Sequence, residues 1–344
     1  KMVGSTMKQI EGINLRKIHK IFIKGEFNDT KSINNFNNKF QKKFSVLLNK
    51  LKPDFIFLTG DRYETFSASF CSFLLRIPII HIEGGDMTLG GTYDDVIRHS
   101  LSRLSSFHLV TNKLSKSRLI KWDERDNNIF NIGYPPGIEI KKKQFANKKA
   151  IEHEFGLKEK EKIIIFTLHP IISSKSKSKD YKIILDVLKN LSKKFKIIIT
   201  YPNFDPGYKE IIKLYKSLEK NENIFIRKNL GKFLYYGILN YCGNYNSGFC
   251  MGNSSSGIKE AIFFHCKALN IGDRQLGRLA PKNIININFD YKKIIAESKK
   301  ILKNKKINKN NSNPYRIKNF KESILKITKI IFKNKKSHLK KFII

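Results

Sequence analysis

Seven short apolar runs recur along the chain with helix-periodic segments between them: FIFLTG (55–60), PIIHI (78–82), FHLVT (107–111), KIIIFTLH (162–169), KIIIT (196–200), SGFCM (248–252) and KALNI (267–271). Strands that are apolar on both faces and alternate with helices form parallel sheets covered by helices on each side. The chain therefore reads as α/β. At 344 residues it exceeds what one core usually manages, so two lobes are expected. The alternation restarts after FNIGYPPGIEIKKK (130–143), whose Pro-Pro-Gly is a hinge signal, which places the boundary near residue 145. The expected organisation is one lobe over 1–145 and a second over 146–312. A final amphipathic helix within 313–344, opened by NPYRIKNF, would return toward the first lobe.

Hydrophobic residues make up 40% of the chain and aromatics 12%, enough for packed cores. No apolar run approaches the roughly 20 residues of a membrane span. No secretory signal is visible, so a cytoplasmic location without membrane attachment is expected. Cys71, Cys242, Cys250 and Cys266 form no CxxC pair, which argues against a disulfide framework or a zinc site. The net charge of +38 invites a nucleic-acid or polyanion-binding module as a reading of a different class. Its distribution argues against that. Lysines lie in every segment alongside abundant asparagine and isoleucine, as an A/T-rich coding sequence produces, and no recognition motif accompanies them.

In open parallel sheets, ligands sit at the carboxyl ends of the strands. Six of those ends here are polar: Gly60-Asp61-Arg62, Glu83-Gly84-Gly85-Asp86, His169-Pro170, Pro202-Asn203-Phe204-Asp205, Asn253-Ser254-Ser255-Ser256-Gly257 and Gly272-Asp273-Arg274-Gln275. The serine cluster could cap a helix or hold a phosphate with its N–H groups and hydroxyls. Arg274 and Arg278 at the next strand end shift the balance toward anion binding, and Glu260 could accept from ribose hydroxyls. Neither GxGxxG nor GxxxxGK[ST] occurs, so no dinucleotide or P-loop cofactor is expected, and a nucleotide sugar fits better.

The stretch PIIHIEGGDMTLGGTYDDVIRH (78–99) concentrates acids in a lysine-rich chain. Thr92 with Asp95 would make a capping box, and Asp94 would favour the helix dipole. That account leaves Asp61 and Glu83 unexplained. They close two successive strands and are expected to converge, and carboxylates that share a pocket raise one another's pKa into a useful range. Arg98 would keep the remainder ionised. His169 reads equally as a buried structural histidine or as a group acting on substrate.

LTGDRYE, HIEGGDMTLGGTYDDVIRH, FTLHP, TYPNFDPG, GNSSSGIKEA and NIGDRQLGR, in this order and spacing, resemble the hydrolysing UDP-N-acetylglucosamine 2-epimerases that supply N-acetylmannosamine for bacterial sialic acid synthesis. The resemblance runs from about Gly4 to the NPY segment near 315. It implies two Rossmann-like lobes in the glycosyltransferase-B arrangement, a UDP-sugar in the inter-lobe cleft, no redox cofactor and no metal, and a homodimer or tetramer. It also implies roles. Asp61, Glu83 and one of Asp94 or Asp95 would work around C2 and the glycosidic oxygen, supported by Arg62, Arg98 and His99. His169 would contact the diphosphate or assist the leaving group, near Asn203 and Asp205. Asn253, Ser254, Ser255, Ser256 and Gly257 would cradle the phosphates, with Arg274 nearby. Glu260 would hold the ribose, and the backbone from Asn229 to Phe233 would meet the uracil.

The implied reaction couples loss of the C2 proton to departure of UDP, giving a 2-acetamidoglucal that water then hydrates. A UDP- or GDP-linked 2,4-diacetamido-6-deoxy sugar, a non-hydrolysing epimerase and a two-lobe glycosyltransferase remain alternatives on the same fold. Members of this family begin with a strand, a Gly-Thr-Arg loop, a helix and a second strand before a segment like GSTMKQIEG, which is residues 4–12 here. The expectation is thus an N-terminally truncated chain with little or no epimerase activity, with strands at 18–24 and 55–60 lacking their usual neighbours, an unstable first lobe, and a second lobe that still binds UDP.

Overall fold

The computed structural model describes residues 17–24, 30–90, 93–159, 161–170, 177–203, 205, 207–303 and 313–333. Residues 4–12, Thr92 and Phe204, which carried expectations above, lie outside that set. The described residues fall into two compact units, one running from Pro136 to Asn313 and the other joining the chain up to Pro135 with the chain from Pro314. The division lies inside the Pro-Pro-Gly rather than at 145, because Ile140 already packs in the core of the unit that follows.

The first unit alternates α1 (Thr30–Leu51), β1 (Ile56–Thr59), α2 (Tyr63–Leu74), β2 (Ile79–Ile82), α3 (Tyr93–Leu104), β3 (Phe107–Val110), α4 (Lys113–Lys121) and β4 (Ile129–Asn131). Its strands pair in parallel in the order β1-β2-β3-β4. Side chains alternate across a strand, so Ile79 packs with Leu58, Ala68 and Leu101 while Ile80 packs with Phe107, Leu109 and Ile132 on the other face. The expected strand at 18–24 is not formed. Residues 17–24 have no regular structure, and Ile18 and Phe22 are exposed. A strand needs both a paired neighbour and a core face for its side chains, and among the described residues this segment has neither.

The second unit continues with α5 (Gly137–Lys141), α6 (Lys148–Glu154), β5 (Ile163–Thr167), α7 (Lys177–Leu191), β6 (Lys196–Thr200), α8 (Tyr208–Lys216), β7 (Ile224–Arg227), α9 (Gly231–Gly243), β8 (Gly248–Gly252), α10 (Ser255–Lys259), β9 (Ala268–Ile271), β10 (Ile284–Ile287) and α11 (Tyr291–Lys303). Its six parallel strands are ordered β10-β9-β8-β5-β6-β7. Ile164, Phe166, Ile197, Ile199, Phe249 and Met251 face one core, and Ile163, Ile165, Ile198 and Cys250 face the other. Both faces are covered, as continuous apolar strands require. The order reverses between β5 and β8, and such a switch point leaves a crevice outside the carboxyl ends of those two strands. Gly252 has φ +128°, and a Cβ there would lie 1.9 Å from the Thr167 carbonyl oxygen, so the close approach of the two strand ends demands glycine.

From Pro314 the chain rejoins the first unit. The Tyr134 N–H donates to the Tyr315 carbonyl and the Lys318 N–H to that of Ile132. The last helix, α12 (Phe320–Lys333), then buries Ile327 and Ile331 against Ile80, Phe107, Leu109 and Ile132. Among the described residues no helix is long and apolar enough to cross a membrane.

Candidate active site

In the first unit the chemistry gathers around Arg98. This α3 residue is buried, and a buried guanidinium must be paired and hydrogen-bonded to be tolerated. Its Nε donates to Asp61 Oδ2 at 3.1 Å, Nη2 donates to the same oxygen, and Nη1 donates to Asp95 Oδ1 at 2.5 Å and to the Asp86 carbonyl at 3.2 Å. Burial works against the charge on Arg98, but Asp61, Asp86 and Asp95 outweigh it and hold the guanidinium more firmly protonated than usual. Burial likewise works to raise the Asp95 pKa; hydrogen bonding from His99 and the charge of Arg98 prevail and hold it below the usual carboxylate range.

The Asp95 carboxylate also accepts from the Thr88 N–H and hydroxyl, at 2.8 and 2.9 Å, and from His99 Nε2 at 3.2 Å. These contacts are more than a helix cap requires. The His99 ring stands edge-on to Trp122, with ring centroids 4.4 Å apart. Asp94 occupies the first turn of the same helix.

Asp61 and Glu83 follow adjacent strands whose ends are in register at Thr59 and Ile82. Glu83 has φ +73°, a left-handed conformation uncommon outside glycine, and its N–H is tied to the Leu109 carbonyl at 3.0 Å. Arg62 leans into its own helix, where Nε donates to Glu64 Oε1 at 3.3 Å and the guanidinium lies 5.1 Å over the Tyr63 ring. His81 is fully buried and joins the Gly60 carbonyl to Ser102. The signal for it was present in the sequence: a histidine inside PIIHI has to find partners once it is buried.

In the second unit the polar groups meet at the switch point. Asn253 Oδ1 accepts from the His169 N–H at 2.6 Å and its Nδ2 donates to the His169 carbonyl at 2.9 Å, so the ends of β5 and β8 are locked together. The Asn253 carbonyl accepts from Arg274 Nη1 at 3.3 Å and from Gln275 Nε2 at 2.8 Å. Arg274 also lies 3.8 Å from Asp205. His169 Nδ1 accepts from the Asn203 N–H at 3.1 Å, which leaves the neutral ring with its proton on Nε2, as a donor. Burial and the charge of Arg274 hold the His169 pKa well below the ordinary histidine value.

The half-buried serines Ser254, Ser255 and Ser256 open α10. Ser254 Oγ accepts from the Ser256 N–H at 3.4 Å, and Tyr235 of α9 donates to Ser256 Oγ at 2.7 Å. Gly257 follows in the same turn and is buried. Glu260 closes α10 and accepts from the Tyr236 hydroxyl at a long 3.4 Å. In the segment expected to meet uracil, Asn229 Oδ1 takes the Gly231 N–H at 2.7 Å and the Phe233 carbonyl takes the Ala146 N–H at 3.1 Å, while the Phe233 side chain is exposed. Tyr235 was not singled out from sequence, and Gln275 was named only as part of a polar strand end, without a role. Gln275 lies inside the GDRQ run, whereas Tyr235 sits among the aromatics of a core helix, where nothing marks it.

Two units of parallel sheet, one with a polar switch point and the other with a carboxylate and guanidinium cluster at its strand ends, define a doubly wound α/β protein of glycosyltransferase-B type. The sequence profile described as UDP-N-acetylglucosamine 2-epimerase matches residues 2–329, and the chain belongs to that family.

It is 38% identical over 251 residues to the GDP/UDP-N,N'-diacetylbacillosamine 2-epimerase (hydrolyzing) of Campylobacter jejuni; the alignment spans 71% of this chain and 62% of that relative. It is 31% identical over 250 residues to the UDP-N-acetylglucosamine 2-epimerase of Neisseria meningitidis, covering 73% and 64% of the two chains. The crystal structure of the Methanocaldococcus jannaschii UDP-GlcNAc 2-epimerase, in complex with UDP-GlcNAc and UDP, shares the fold with a TM-score of 0.70 at 18% identity, over 87% of this chain and 82% of that one.

Proposed function

We propose that this protein is a hydrolysing 2-epimerase of a UDP-linked 2-acetamido sugar, with a 2,4-diacetamido-6-deoxy sugar as the preferred substrate. The observation that carries the reading is the buried Arg98 of α3 shared by Asp61, at the end of β1, and Asp95 of its own helix. The choice of sugar is supported by the 38% identity to the Campylobacter jejuni diacetylbacillosamine enzyme. UDP-N-acetylglucosamine is the second reading, favoured by the likeness to the Neisseria meningitidis enzyme.

C2 of a 2-acetamido sugar is barely acidic, so its proton has to leave as the C1–O bond breaks and the bonding pair departs with UDP. A C1=C2 double bond forms. Water then adds its oxygen at C1 while a proton is delivered to C2 from the opposite face, which releases the inverted sugar. Asp61 and Glu83 are assigned the proton transfers, the work of positioned carboxylates. Asp95, already saturated with donors and held ionised, is assigned to orienting Arg98 and His99, and Asp94 to the rim of the cluster. His169 Nε2–H, Arg274, Asn253 and the Ser254–Gly257 turn are assigned to the diphosphate, where charge accumulates as the bond breaks. Glu260 is assigned to the ribose.

The test is incubation of the chain with UDP-N,N'-diacetylbacillosamine and, separately, with UDP-N-acetylglucosamine, followed by identification of the released sugar. The reading expects UDP and the 2-epimer, formed faster from the diacetamido substrate. Release of neither overturns it.

A further inference from the structure

His81 lies in β2, in register with Leu58 of β1 and His108 of β3, and its side chain is wholly shielded from solvent. An apolar residue would serve the core better there, since a buried polar ring costs stability unless every polar atom is matched. Both of its nitrogens are matched. Nδ1 accepts from the Ser102 hydroxyl at 2.9 Å and Nε2–H donates to the Gly60 carbonyl at 3.3 Å, the tautomer being assigned from these partners.

Those two anchor points are not arbitrary. Gly60 directly precedes Asp61, and Ser102 lies one helical turn beyond Arg98 on α3, so one imidazole grips both elements whose side chains form the Asp61–Arg98 pair. Gly60 has φ +95° and no neighbour within 4 Å of the place a Cβ would occupy, which leaves the peptide before Asp61 free to rotate unless its carbonyl is held. We propose that His81 is the positioning residue of the carboxylate cluster: by holding the Gly60 carbonyl to α3 through Ser102, it fixes Asp61 opposite Arg98. The charged and titratable groups that face the ring are His108, Arg98 and Asp61; burial first, then His108 and Arg98, outweigh the opposing pull of the Gly60 carbonyl and Asp61 and keep the ring neutral, its pKa pushed down to about 3. A neutral ring offers the one donor and one acceptor that the two anchors need.

This inference rests on the proposed role of Asp61, and the experiment separates the two. The chain is compared with its His81→Leu, His81→Gln and Ser102→Ala variants, measuring UDP release from UDP-N,N'-diacetylbacillosamine, thermal unfolding, and the nitrogen-15 Nε resonance of Arg98. His81→Leu fills the space without either bond, and His81→Gln keeps a donor that reaches toward Gly60. Expected are a fall in kcat of about 100-fold in His81→Leu with KM little changed, since misplacement of a reacting group by about 1 Å costs that much, and recovery of most of it in His81→Gln. The loss should vanish in an Asp61→Asn background. The Arg98 resonance should shift in His81→Leu and Ser102→Ala but return in His81→Gln, a readout that needs no substrate and stands even if the epimerase reading fails. A kcat loss that follows the unfolding temperature across the variants, or an Arg98 resonance unmoved by His81→Leu, overturns the proposal.

Discussion

The hydroxyl of Tyr235 donates to Ser256 Oγ across 2.7 Å, linking the long helix α9 to the first turn of α10. With its oxygen already accepting, Ser256 keeps its own proton to donate, and the proposed role directs that donation to a phosphate oxygen. Tyr235→Phe keeps the ring and removes only this bond. It is expected to weaken UDP binding by about three- to tenfold, the usual worth of one hydrogen bond, and to lower the stability of the ligand-free protein by no more than about 0.5–1.5 kcal/mol. Calorimetric titration with UDP reads the effect, and unchanged affinity would leave Ser256 without a part in binding.

Asp61→Asn and Glu83→Gln should each lower turnover by roughly 100-fold or more, the scale for losing a positioned proton-transfer group. Asp61→Asn should in addition destabilise the first unit, because Arg98 keeps its buried charge and loses a partner. Steady-state rates beside urea unfolding curves distinguish the two effects. Near-normal turnover in both variants would reduce the acidic stretch to a structural feature.

The imidazole of His81 binds a proton in the unfolded chain below about pH 6.5 but in the folded one only near pH 3. The unfolded state therefore holds more protons between those values, and stability contributed above pH 6.5 is lost as the pH falls toward 3, by at most on the order of 5 kcal/mol. Acid titration followed by circular dichroism should show this slope in the protein and a flatter one in His81→Leu. Parallel curves would sink the assignment of a neutral ring.

Asn253→Ala removes the side chain that satisfies both the N–H and the carbonyl of His169. Two buried backbone groups left unmatched should cost about 2–6 kcal/mol at about 1–3 each, visible as a lower urea midpoint. Asn253→Asp should not rescue it, since a carboxylate cannot donate to the His169 carbonyl. A midpoint within error of the parent would show that the two strand ends hold together without this link.

Product formed in heavy water is expected to carry one deuterium at C2, because the proton removed there exchanges with solvent before another is delivered. Mass spectrometry of the released sugar decides it, and full retention of the original hydrogen rules out elimination.

The strands that were legible from apolar runs are all formed. Those that were not, β4, β7 and β10, each lie at an edge of a sheet, where one flank faces away from other strands and sequences such as IFN, IFIR and IINI need no unbroken apolar run. At the site, residue types were readable but partnerships were not. Asp61, Asp95 and Arg98 could be picked out as chemistry-bearing residues at the end of β1 and on α3. That one buried guanidinium serves both carboxylates depends on side-chain directions across 37 residues of chain, which no local pattern carries. Tyr235 escaped for the opposite reason, since it looks like ordinary core until its partner is known, and the place of His81 inside an apolar strand signalled that it had partners but not which ones.

The helix α12 completes a sheet whose other parts were laid down before residue 135, with Ile327 and Ile331 covering Ile80, Phe107, Leu109 and Ile132. During synthesis on the ribosome those four side chains emerge early and wait for a cover encoded roughly 200–250 residues downstream, at translation speeds of about 5–20 residues per second. The segment from Pro136 to Asn313 has no such wait, since its strands and helices follow one another directly. The unit second in the chain is therefore expected to fold first, and the other to remain a target for chaperones until α12 has emerged. A nascent chain halted before residue 320 should resist protease in its later part while its earlier part is cut.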